Sequence, residues 1–402
     1  MNDGDVTKLA DWVVGAGLAG ASETALLGEF CRRATAIGLP VARAIVVVDT
    51  LHPILEGRAF RWRSDSPLET AVTEYGPTTE GEAAERWRRS PFYHLLESGQ
   101  SMLRARLRAP ETPDFQTFDE LRAEGMVDYA AFVHRFAADG VIGEMDCVYT
   151  SWATSADAGF DDRHVAALQR LSAVLGLAVK TASLARIAQT LVETYLGRDP
   201  GRRVLGGAIA RGVAEEIDAV IWYSDLRGYT RISDTAPPVQ IIPLLNDYAD
   251  AVITAVLAEG GDVLKLIGDG TLAIFKADDP ERACGQALAA AEKVRRSVAA
   301  LNKRRSAIGL PVTDVYFGLH AGAMFYGNIG SASRLDFTVV GPAVNEASRI
   351  ASMCRSIEQP VLLSAPFVEA AGAASRQRFV SVGRYALRGV GRPQELYTIE
   401  RF

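Results

Sequence analysis

The sequence predicts an α+β protein with two domains and a long helix between them. Its 402 residues exceed what one hydrophobic core usually serves. After Pro200, apolar runs of strand length alternate with amphipathic helical stretches, which is typical of helices packed over an antiparallel sheet. From Asp161 to about Leu196, apolar residues recur at helical spacing without a proline. We therefore expect an α/β domain at residues 1–160, a helix and linker at 161–215, and an antiparallel-rich α+β domain at 216–402.

Composition limits the class of protein. Hydrophobic residues make up 48% of the chain and charged residues 23%, as in ordinary globular proteins. The net charge of -6 disfavours nucleic-acid binding, which needs a basic face. The first residues lack the pattern of a signal peptide, and no run approaches the ~18 apolar residues of a membrane span. These features predict a cytoplasmic protein that binds no nucleic acid and has no membrane span.

The cysteines predict neither a zinc site nor a disulfide framework. They are scattered through the chain without CxxC or Cys/His spacing, so buried reduced thiols are expected. The four residues are Cys31, Cys147, Cys284 and Cys354.

The first half combines helical and strand patterns. Residues 22–37 have helical spacing, and short apolar runs predict strands at 44–49, 59–63 and 147–153. Residues 65–124 are charged and punctuated by prolines, which predicts mainly loops and short helices.

Three glycines near the N-terminus imitate a nucleotide-binding motif. Gly15, Gly17 and Gly20 fit GxGxxG, and Asp49 ends a predicted strand, as in a dinucleotide-binding βαβ unit. Only three apolar residues precede Gly15, however, and Asp49 lies well beyond the usual spacing of about 20 residues. A glycine-rich bend between two helices is the simpler interpretation, and a dinucleotide-dependent oxidoreductase is the alternative function that this motif would need.

The second half predicts a sheet that includes a hairpin. An Asp-Gly pair between two apolar runs is a strong hairpin signal. The predicted strands are 219–223, 263–267, 271–275, 315–320 and 323–329, and the predicted helices are 240–259 and 280–301.

Two aspartates stand at predicted strand ends beside glycines. Asp225 lies in YSDLRGYT and Asp269 in KLIGDG. Hard divalent cations prefer carboxylate oxygens, and transfer at an α-phosphate uses two such ions about 4 Å apart. The turn that follows Asp225 has free backbone amides that suit phosphates, and Gly228 permits close approach. A lone aspartate in a turn is usually a cap, but two in these contexts favour a metal site.

A third segment, VVGPAVNEASR, adds Asn345 and Arg349. Residues four apart share one face of a helix, so both side chains can reach the same ligand. Taken alone, they would be interpreted as a helix cap and a surface ion pair.

The segments YSDLRGYT, KLIGDG and DFTVVGPAVNEASR resemble the signature segments of class III adenylate and guanylate cyclases, over residues 218–402. The resemblance implies a catalytic domain with a ferredoxin-like core. It also implies two Mg²⁺ or Mn²⁺ ions on Asp225 and Asp269, with the carbonyl of Leu226 as a further ligand. Asn345 would position the ribose, and Arg349 would stabilise charge at the α-phosphorus.

The same resemblance implies residues for the rest of the substrate. The backbone of Leu226, Arg227, Gly228, Tyr229 and Thr230 would hold the β- and γ-phosphates. Near the C-terminus a basic residue would face the triphosphate, and Arg388 is the expected one, with Arg392 as a rival.

Base choice is expected to depend on Lys265 and Thr338. In this family lysine at the first position indicates adenine, and therefore ATP. Thr338 stands where aspartate is commoner, which resembles a subclass with bicarbonate-responsive members and leaves a bicarbonate or CO₂ response open. Asp336 is close by, but its spacing to Gly341 is wrong for the usual aspartate.

All these elements lie on one chain, as in family members whose two sites form across a homodimer interface. Residues up to about 180 resemble GAF-type sensory domains, which implies an unidentified small-molecule ligand and a signalling role for the long helix. The expected function is an adenylate cyclase that makes 3',5'-cyclic AMP and pyrophosphate under control of this sensor. The alternatives are a catalytically weak or degenerate nucleotide-binding module and a guanylate cyclase.

Overall fold

The structure is a computed structural model that describes residues 1–66, 68, 70–109, 112–137 and 141–400. The chain divides into two compact units, Met1–Leu191 and Val192–Phe402. Each unit has its own sheet and its own hydrophobic core.

The first unit contains helices on both sides of its sheet. In chain order its elements are α1 (Asp3–Leu18), α2 (Glu23–Ala36), β1 (Arg43–Asp49), β2 (Gly57–Arg63), β3 (Thr70–Tyr75), α3 (Gly81–Arg88), α4 (Pro91–Ser98), β4 (Met102–Arg106), α5 (Gln116–Ala123), β5 (Asp128–Arg135), β6 (Cys147–Thr154) and α6 (Asp162–Leu196).

The sheet of the first unit is antiparallel throughout its described pairs, in the order β3-β2-β1-β6-β5-β4. Residues of α1, α2 and α6 form a core with one face, and residues of α4 and α5 form a core with the other. Because both faces are covered, the central strand β6 is buried along its whole length. The helices α2 and α6 and the strands β1, β2 and β6 confirm the sequence predictions.

Three strands of this unit differ from the expectation. β3 and β4 lie within residues 65–124, which were predicted to be mainly loops and short helices. β5 was not predicted, and its Tyr129 and Phe132 are buried. β3 pairs with the preceding strand β2, whereas β4 and β5 pair with each other across α5, and local composition does not report such pairing.

The N-terminal glycine motif is not a nucleotide-binding turn. Gly15 and Gly17 lie inside α1, and no strand precedes them in the described residues. Gly20 has a φ of 75° in the bend between α1 and α2. The βαβ interpretation is therefore wrong, since it requires a strand before the first glycine.

The second unit places most of its helices between strands. Its elements are α7 (Arg198–Leu205), β7 (Ala214–Leu226), α8 (Tyr229–Thr235), α9 (Ile241–Ala258), β8 (Asp262–Ile267), β9 (Gly270–Lys276), α10 (Pro280–Ala307), β10 (Val315–Gly330), β11 (Leu335–Val340), α11 (Pro342–Ile357), β12 (Val361–Ser364), α12 (Ala365–Ala370), α13 (Ala373–Arg376), β13 (Phe379–Tyr385) and β14 (Gln394–Ile399).

The centre of this unit is a ferredoxin-like arrangement. The main sheet path is β13-β14-β12-β10-β7-β9-β8, and β11 pairs with β10. Within it, the order β10-β7-β9-β8 is that of a split βαβ pair with α9 and α10 as its helices. Those helices pack on one face of the sheet, and α11 packs on the other. The mixed α+β class predicted for the catalytic half is confirmed.

One long strand replaces two that were predicted. β10 runs unbroken through Gly322 because it pairs with β7 from Val315 to Gly327. A Cβ on Gly322 would lie 3.0 Å from the Cβ of Ala343 in α11, so the glycine permits close packing of that helix. The hairpin of β8 and β9 and the helices α9 and α10 confirm the sequence predictions, and α10 extends beyond residue 301.

A polar cluster holds α7 against the sheet. The carboxylate of Asp199 accepts hydrogen bonds from Lys276 Nζ at 2.9 Å, Tyr326 Oη at 2.8 Å and Arg203 Nε at 2.9 Å. Arg203 also forms an ion pair with Glu215. The cluster ties a short helix to β9, β10 and β7, and these partners keep the pKa of Asp199 below its usual value despite its burial.

Two further expectations concern the thiols and membrane spans. The four cysteines are buried and free, as predicted. Two helices, Asp162–Leu196 and Pro238–Ala258, meet the length and composition of a membrane span, which was not expected. Each contributes buried residues to a core of its own unit, including Leu168 in the first and Val252 in the second.

His320 is a buried histidine between β10 and α11. It is 4% exposed, its Nδ1 has no hydrogen-bond partner in the described residues, and its Nε2 lies 3.9 Å from Glu346 Oε2. Burial lowers the pKa of His320 to about 4. Burial also raises the pKa of Glu346, an effect that the nearby Arg349 opposes.

We predict that His320 makes the second unit sensitive to acid. Below pH 6.5 this histidine takes up a proton in the unfolded chain, whereas in the folded protein His320 stays neutral until about pH 4. The free energy of unfolding should therefore fall across this window, by up to about 1.4 kcal/mol per pH unit. His320→Gln should lose this component. His320 is the one histidine after residue 191. Urea unfolding monitored by labelling of Cys284 and Cys354 follows the second unit, and therefore reports the contribution of this histidine alone among the histidines. Equal pH dependence in both proteins would contradict the prediction.

Candidate functional site

Asp225 and Asp269 meet where two neighbouring strands end. Asp225 is next to last in β7, and Asp269 lies in the two-residue loop of the β8–β9 hairpin. Gly268 begins that loop with a φ of 62°, which a glycine adopts without strain. A Cβ on Gly270 would lie 2.8 Å from the carbonyl oxygen of Ser224, so a glycine there lets the hairpin approach β7 closely. The structure thus brings together the two aspartates that the sequence singled out.

The two carboxyl groups share a hydrogen bond, and the pKa of Asp225 is raised to about 7. Burial is the largest cause, followed by the hydrogen bond with Asp269 and repulsion between the two charges. The amide of Leu226 donates to Asp225 Oδ1 at 3.2 Å and opposes the shift. Two carboxylates this close are stable when they share a proton or face a cation.

The donor set fits hard divalent cations. Two carboxylates and neighbouring backbone carbonyls supply oxygen ligands, which Mg²⁺ and Mn²⁺ prefer. The described residues contain no cluster of three or more His, Cys, Asp or Glu side chains suited to a metal. A metal at Asp225 and Asp269 therefore needs backbone, water or substrate oxygens to complete its coordination.

An open cavity of about 190 Å³ adjoins the two aspartates. Residues of α9 and the β8–β9 hairpin line it, among them Ile242 and Leu266. These two apolar side chains are 63% and 57% exposed. Exposed apolar side chains beside a polar site are typical of a surface that another molecule covers.

The segment after Asp225 separates this cavity from a larger one. Residues 226–230, which we call the phosphate loop, run from the end of β7 into α8, with Gly228 at a φ of 68°. Arg227 and Gly228 line a groove of about 1050 Å³ on the other side, together with Arg231 and Arg355. Leu226 thus lines the cavity beside the aspartates, and Arg227 and Gly228 line the basic groove.

Lys265 lies on β8 beside a bulge in the hairpin and forms an ion pair with Asp336 of β11. Thr338, two residues along β11, is buried at 9% exposure. Sequence reasoning set Asp336 aside because of its spacing to Gly341, and so missed it as the partner of Lys265. The two-residue repeat of a strand puts Asp336 and Thr338 on one face, which is a signal that could have found it.

Asn345 and Arg349 lie one turn apart on α11, as predicted. Asn345 is exposed, and Arg349 is half-buried. A Cβ on Gly389 would lie 3.4 Å from the Arg349 guanidinium, which places that group against the loop that carries Arg388. Arg388 and Arg392 are both exposed, so the structure does not choose between them.

Within one chain, the predicted site residues lie in separate groups. Burial raises the pKa of Tyr223, the interaction with Ser348 of α11 opposes this shift, and the nearby charges of Asp225 and Asp269 add to it. Among the described residues, however, neither Asn345 nor Arg349 forms a hydrogen bond or an ion pair with either aspartate.

Comparison with known proteins identifies the family of the second unit. Residues 213–401 match the family model described as "Adenylate and Guanylate cyclase catalytic domain". An adenylate cyclase of Anabaena cylindrica is 36% identical over 157 residues, which are 38% of this chain and 30% of that protein. Adenylate cyclase 1 of Rhizobium meliloti is 29% identical over 46% of this chain and 27% of its own length. An uncharacterized protein of Mycobacterium tuberculosis is 32% identical over 51% of this chain and 37% of its own length. The chain thus spans about a third of the length of the curated relatives it matches.

Solved cyclase structures resemble part of the chain. The adenylyl cyclase CyaB from P. aeruginosa is 24% identical, covers 46% of this chain and 95% of its own, and gives a TM-score of 0.43. The guanylyl cyclase Cya2 is 26% identical over 46% and 93%, with a TM-score of 0.41. The family match covers both aspartates, the phosphate loop and α11. Residues 213–401 are therefore similar to the adenylate and guanylate cyclase catalytic domain family.

Proposed function

We propose that this protein is a cytoplasmic adenylate cyclase that converts ATP to 3',5'-cyclic AMP and pyrophosphate. The observation that carries the proposal is the contact between Asp225 and Asp269 at the ends of two strands inside a cyclase-family domain. Two carboxylates held together by the fold, with a raised pKa on one of them, are suited to divalent cations.

Asp225, Asp269 and the carbonyl of Leu226 would hold two Mg²⁺ or Mn²⁺ ions. When bound, such ions activate the attacking 3'-hydroxyl and neutralise the leaving pyrophosphate. The protein supplies the fixed spacing of the two carboxylates. It also supplies the phosphate loop, whose backbone at Arg227, Gly228, Tyr229 and Thr230 would contact the β- and γ-phosphates.

Lys265 and Thr338 would select adenine. The ammonium group of Lys265 can donate to adenine N1, and the hydroxyl of Thr338 can accept from the amino group. Asp336 already bonds Lys265 and limits the directions in which that side chain can point. A guanylate cyclase is the alternative, because the family includes both activities.

Asn345 would orient the ribose, and Arg349 would stabilise charge that develops on the α-phosphate. We propose that they act on the aspartates of a second copy of the chain, in a homodimer with two shared sites. Two observations support this. Asn345 is exposed and forms no hydrogen bond with the aspartates of its own chain, and the cavity beside those aspartates is lined by the exposed Ile242 and Leu266. Arg388 would reach the triphosphate.

The first unit would act as a GAF-like sensor, at residues 1–160, that responds to a small molecule. Its sheet has helices on both faces, and α6 continues from it to the last residues before α7. The helix would carry the signal to the catalytic domain. Bicarbonate or CO₂ remains a candidate effector because of Thr338.

We predict that Mn²⁺ stabilises the protein through the aspartate pair. The wild type should gain up to about 2.7 kcal/mol of unfolding free energy at a Mn²⁺ concentration 100 times its Kd. Asp225→Asn keeps the shape of the side chain but removes its charge, so this variant should gain far less unfolding free energy from Mn²⁺. Asp234→Asn, in the exposed part of α8, is the control and should respond like the wild type. Denaturation with and without Mn²⁺ measures this, and an equal gain in Asp225→Asn would contradict it.

We predict that the purified full chain makes cyclic AMP and pyrophosphate from ATP with Mn²⁺ or Mg²⁺, and makes little cyclic GMP from GTP. Arg349→Ala should lower kcat about 100-fold to 1,000-fold, as the loss of a group that stabilises transition-state charge does. Arg304→Ala, an exposed arginine on α10, should leave the rate unchanged.

Product analysis by chromatography decides between the alternatives. Cyclic GMP as the main product would replace the adenylate assignment with a guanylate one. If an intact dimer makes neither cyclic AMP nor cyclic GMP, with each metal and with bicarbonate added, the protein would be the degenerate nucleotide-binding module.

We predict that two inactive variants complement each other. In a heterodimer of Asp225→Ala with Arg349→Ala, both changes fall in one site and the other site is intact. Equal mixing gives half heterodimers, each with one of two sites, so about a quarter of wild-type activity should return. Exchange of subunits is checked by mass spectrometry. Heterodimers without activity would show that the two residues serve the same chain's site.

A further inference from the structure

We infer that Tyr248, Asn302 and Thr313 form a bracket that positions the phosphate loop for the proposed reaction. None of the three forms a hydrogen bond with the aspartate pair, although Tyr248 lines the cavity beside it. They come from α9, α10 and the segment before β10, and they converge on the backbone of residues 313–314. That backbone in turn holds the loop that follows Asp225. The inference depends on the proposed function for its role in catalysis, while the bracket itself is a feature of the fold.

Residues 313–314 hold two successive peptide groups of the loop. The amide of Arg227 donates to the carbonyl of Asp314 at 2.8 Å. The hydroxyl of Thr313 donates to the carbonyl of Arg227 at 2.5 Å. The loop backbone at Arg227 is therefore fixed on both its amide side and its carbonyl side.

The first of these bonds bears on the proposed metal site. The carbonyl of Leu226 and the amide of Arg227 belong to one planar peptide group. When Asp314 fixes the amide, it also fixes the direction of the Leu226 carbonyl, which is the proposed backbone ligand. A carbonyl that is already oriented need not be ordered when a cation or substrate binds.

Tyr248 and Asn302 in turn fix Thr313. The hydroxyl of Tyr248 accepts from the amide of Thr313 at 2.7 Å and bonds the side-chain oxygen of Asn302. The amide nitrogen of Asn302 donates to the carbonyl of Thr313 at 2.8 Å. Both backbone groups of Thr313 and its side chain are thus bonded, within a closed ring of hydrogen bonds.

Burial makes this ring restrictive. Tyr248 is 1% exposed and Thr313 is 7% exposed. A buried polar group that loses its hydrogen-bond partner is destabilising, so alternative positions of the 313–314 backbone are disfavoured. The neighbouring Arg305, 3% exposed, adds support because its Nε donates to the carbonyl of Pro311 at 2.8 Å and its guanidinium pairs with Asp247.

The role assigned to these residues is positioning, because Thr313 bonds the loop backbone and Tyr248 and Asn302 bond Thr313. Thr313 is the member that contacts the loop directly. A matched pair of substitutions separates the contribution of its hydroxyl group from that of its methyl group. Thr313→Val keeps the shape and removes the hydroxyl. Thr313→Ser keeps the hydroxyl and removes a methyl group. A purely structural role would make both variants defective, whereas a positioning role makes only the valine variant defective.

Thr313→Val should lower kcat about 10-fold and raise the Mn²⁺ concentration for half-maximal rate by a similar factor, as loss of the groups that orient metal ligands does. Thr313→Ser should stay near wild type in both. Tyr248→Phe, which removes the acceptor for the Thr313 amide, should behave like Thr313→Val and serves in its place if that variant does not fold. A valine variant with wild-type kinetics, or a serine variant as impaired as valine, would overturn the inference.

Hydrogen exchange of the full chain tests the bracket without any activity. Amides of residues 225–230 should exchange about 10-fold faster in Thr313→Val and Tyr248→Phe than in the wild type, and at the wild-type rate in Thr313→Ser. Unchanged exchange in both defective variants would overturn the bracket even if the enzyme is a cyclase. Faster exchange in a protein that makes no cyclic nucleotide would leave the bracket standing and count against the proposed function alone.

Discussion

The contact between Asp225 and Asp269 is the constraint on which the second unit depends. Two carboxylates that share a buried position repel each other when both are ionised, and the raised pKa of Asp225 reflects this cost together with burial. The fold keeps them together through the pairing of β7 with β9 and through a two-residue hairpin loop. Gly270 is needed for that approach, since a side chain there would strike the backbone of β7. On the proposed function, bound cations would offset the repulsion between the two carboxylates.

The rest of the sheet gives the pair a rigid base. β7 lies between β9 and β10 and is paired with β10 over thirteen residues, from Ala214 to Leu226. Trp222, three residues before Asp225, is fully buried and packs edge-on against Phe317 of β10 at 5.2 Å between ring centroids. On the opposite face α11 lies close to β10, because Gly318 has no side chain to meet the backbone of Ala351. The helix that carries Asn345 and Arg349 is therefore fixed relative to the same sheet.

Local patterns predicted much of this arrangement, and long-range contacts account for what they missed. The hairpin around Asp269, the turn after Asp225 and the helix of Asn345 each have a signal within a few residues, and each was predicted. The strands β3, β4 and β5 lack such a signal. β4 and β5 pair with each other across α5, and β3 pairs with the preceding β2. The pair of Lys265 with Asp336 joins residues 71 apart, and the bond from Thr313 to Tyr248 spans 65. No motif reports contacts of that kind, and only the two-residue repeat of β11, which puts Asp336 on the same face as Thr338, indicates the first of them.

The separation of the site residues within one chain has a consequence for control. The aspartate pair and the phosphate loop are held by their own sheet and by the bracket of Tyr248, Asn302 and Thr313, so their geometry is set before any partner binds. Asn345, by contrast, is exposed and forms no hydrogen bond with the aspartate pair. On the proposed function, the reaction requires that the aspartate pair and Asn345 be brought together. The fold already supplies the free energy that orders the metal site. A signal from the first unit would therefore act on how two catalytic domains meet, because that is the part of the site that one chain leaves undetermined.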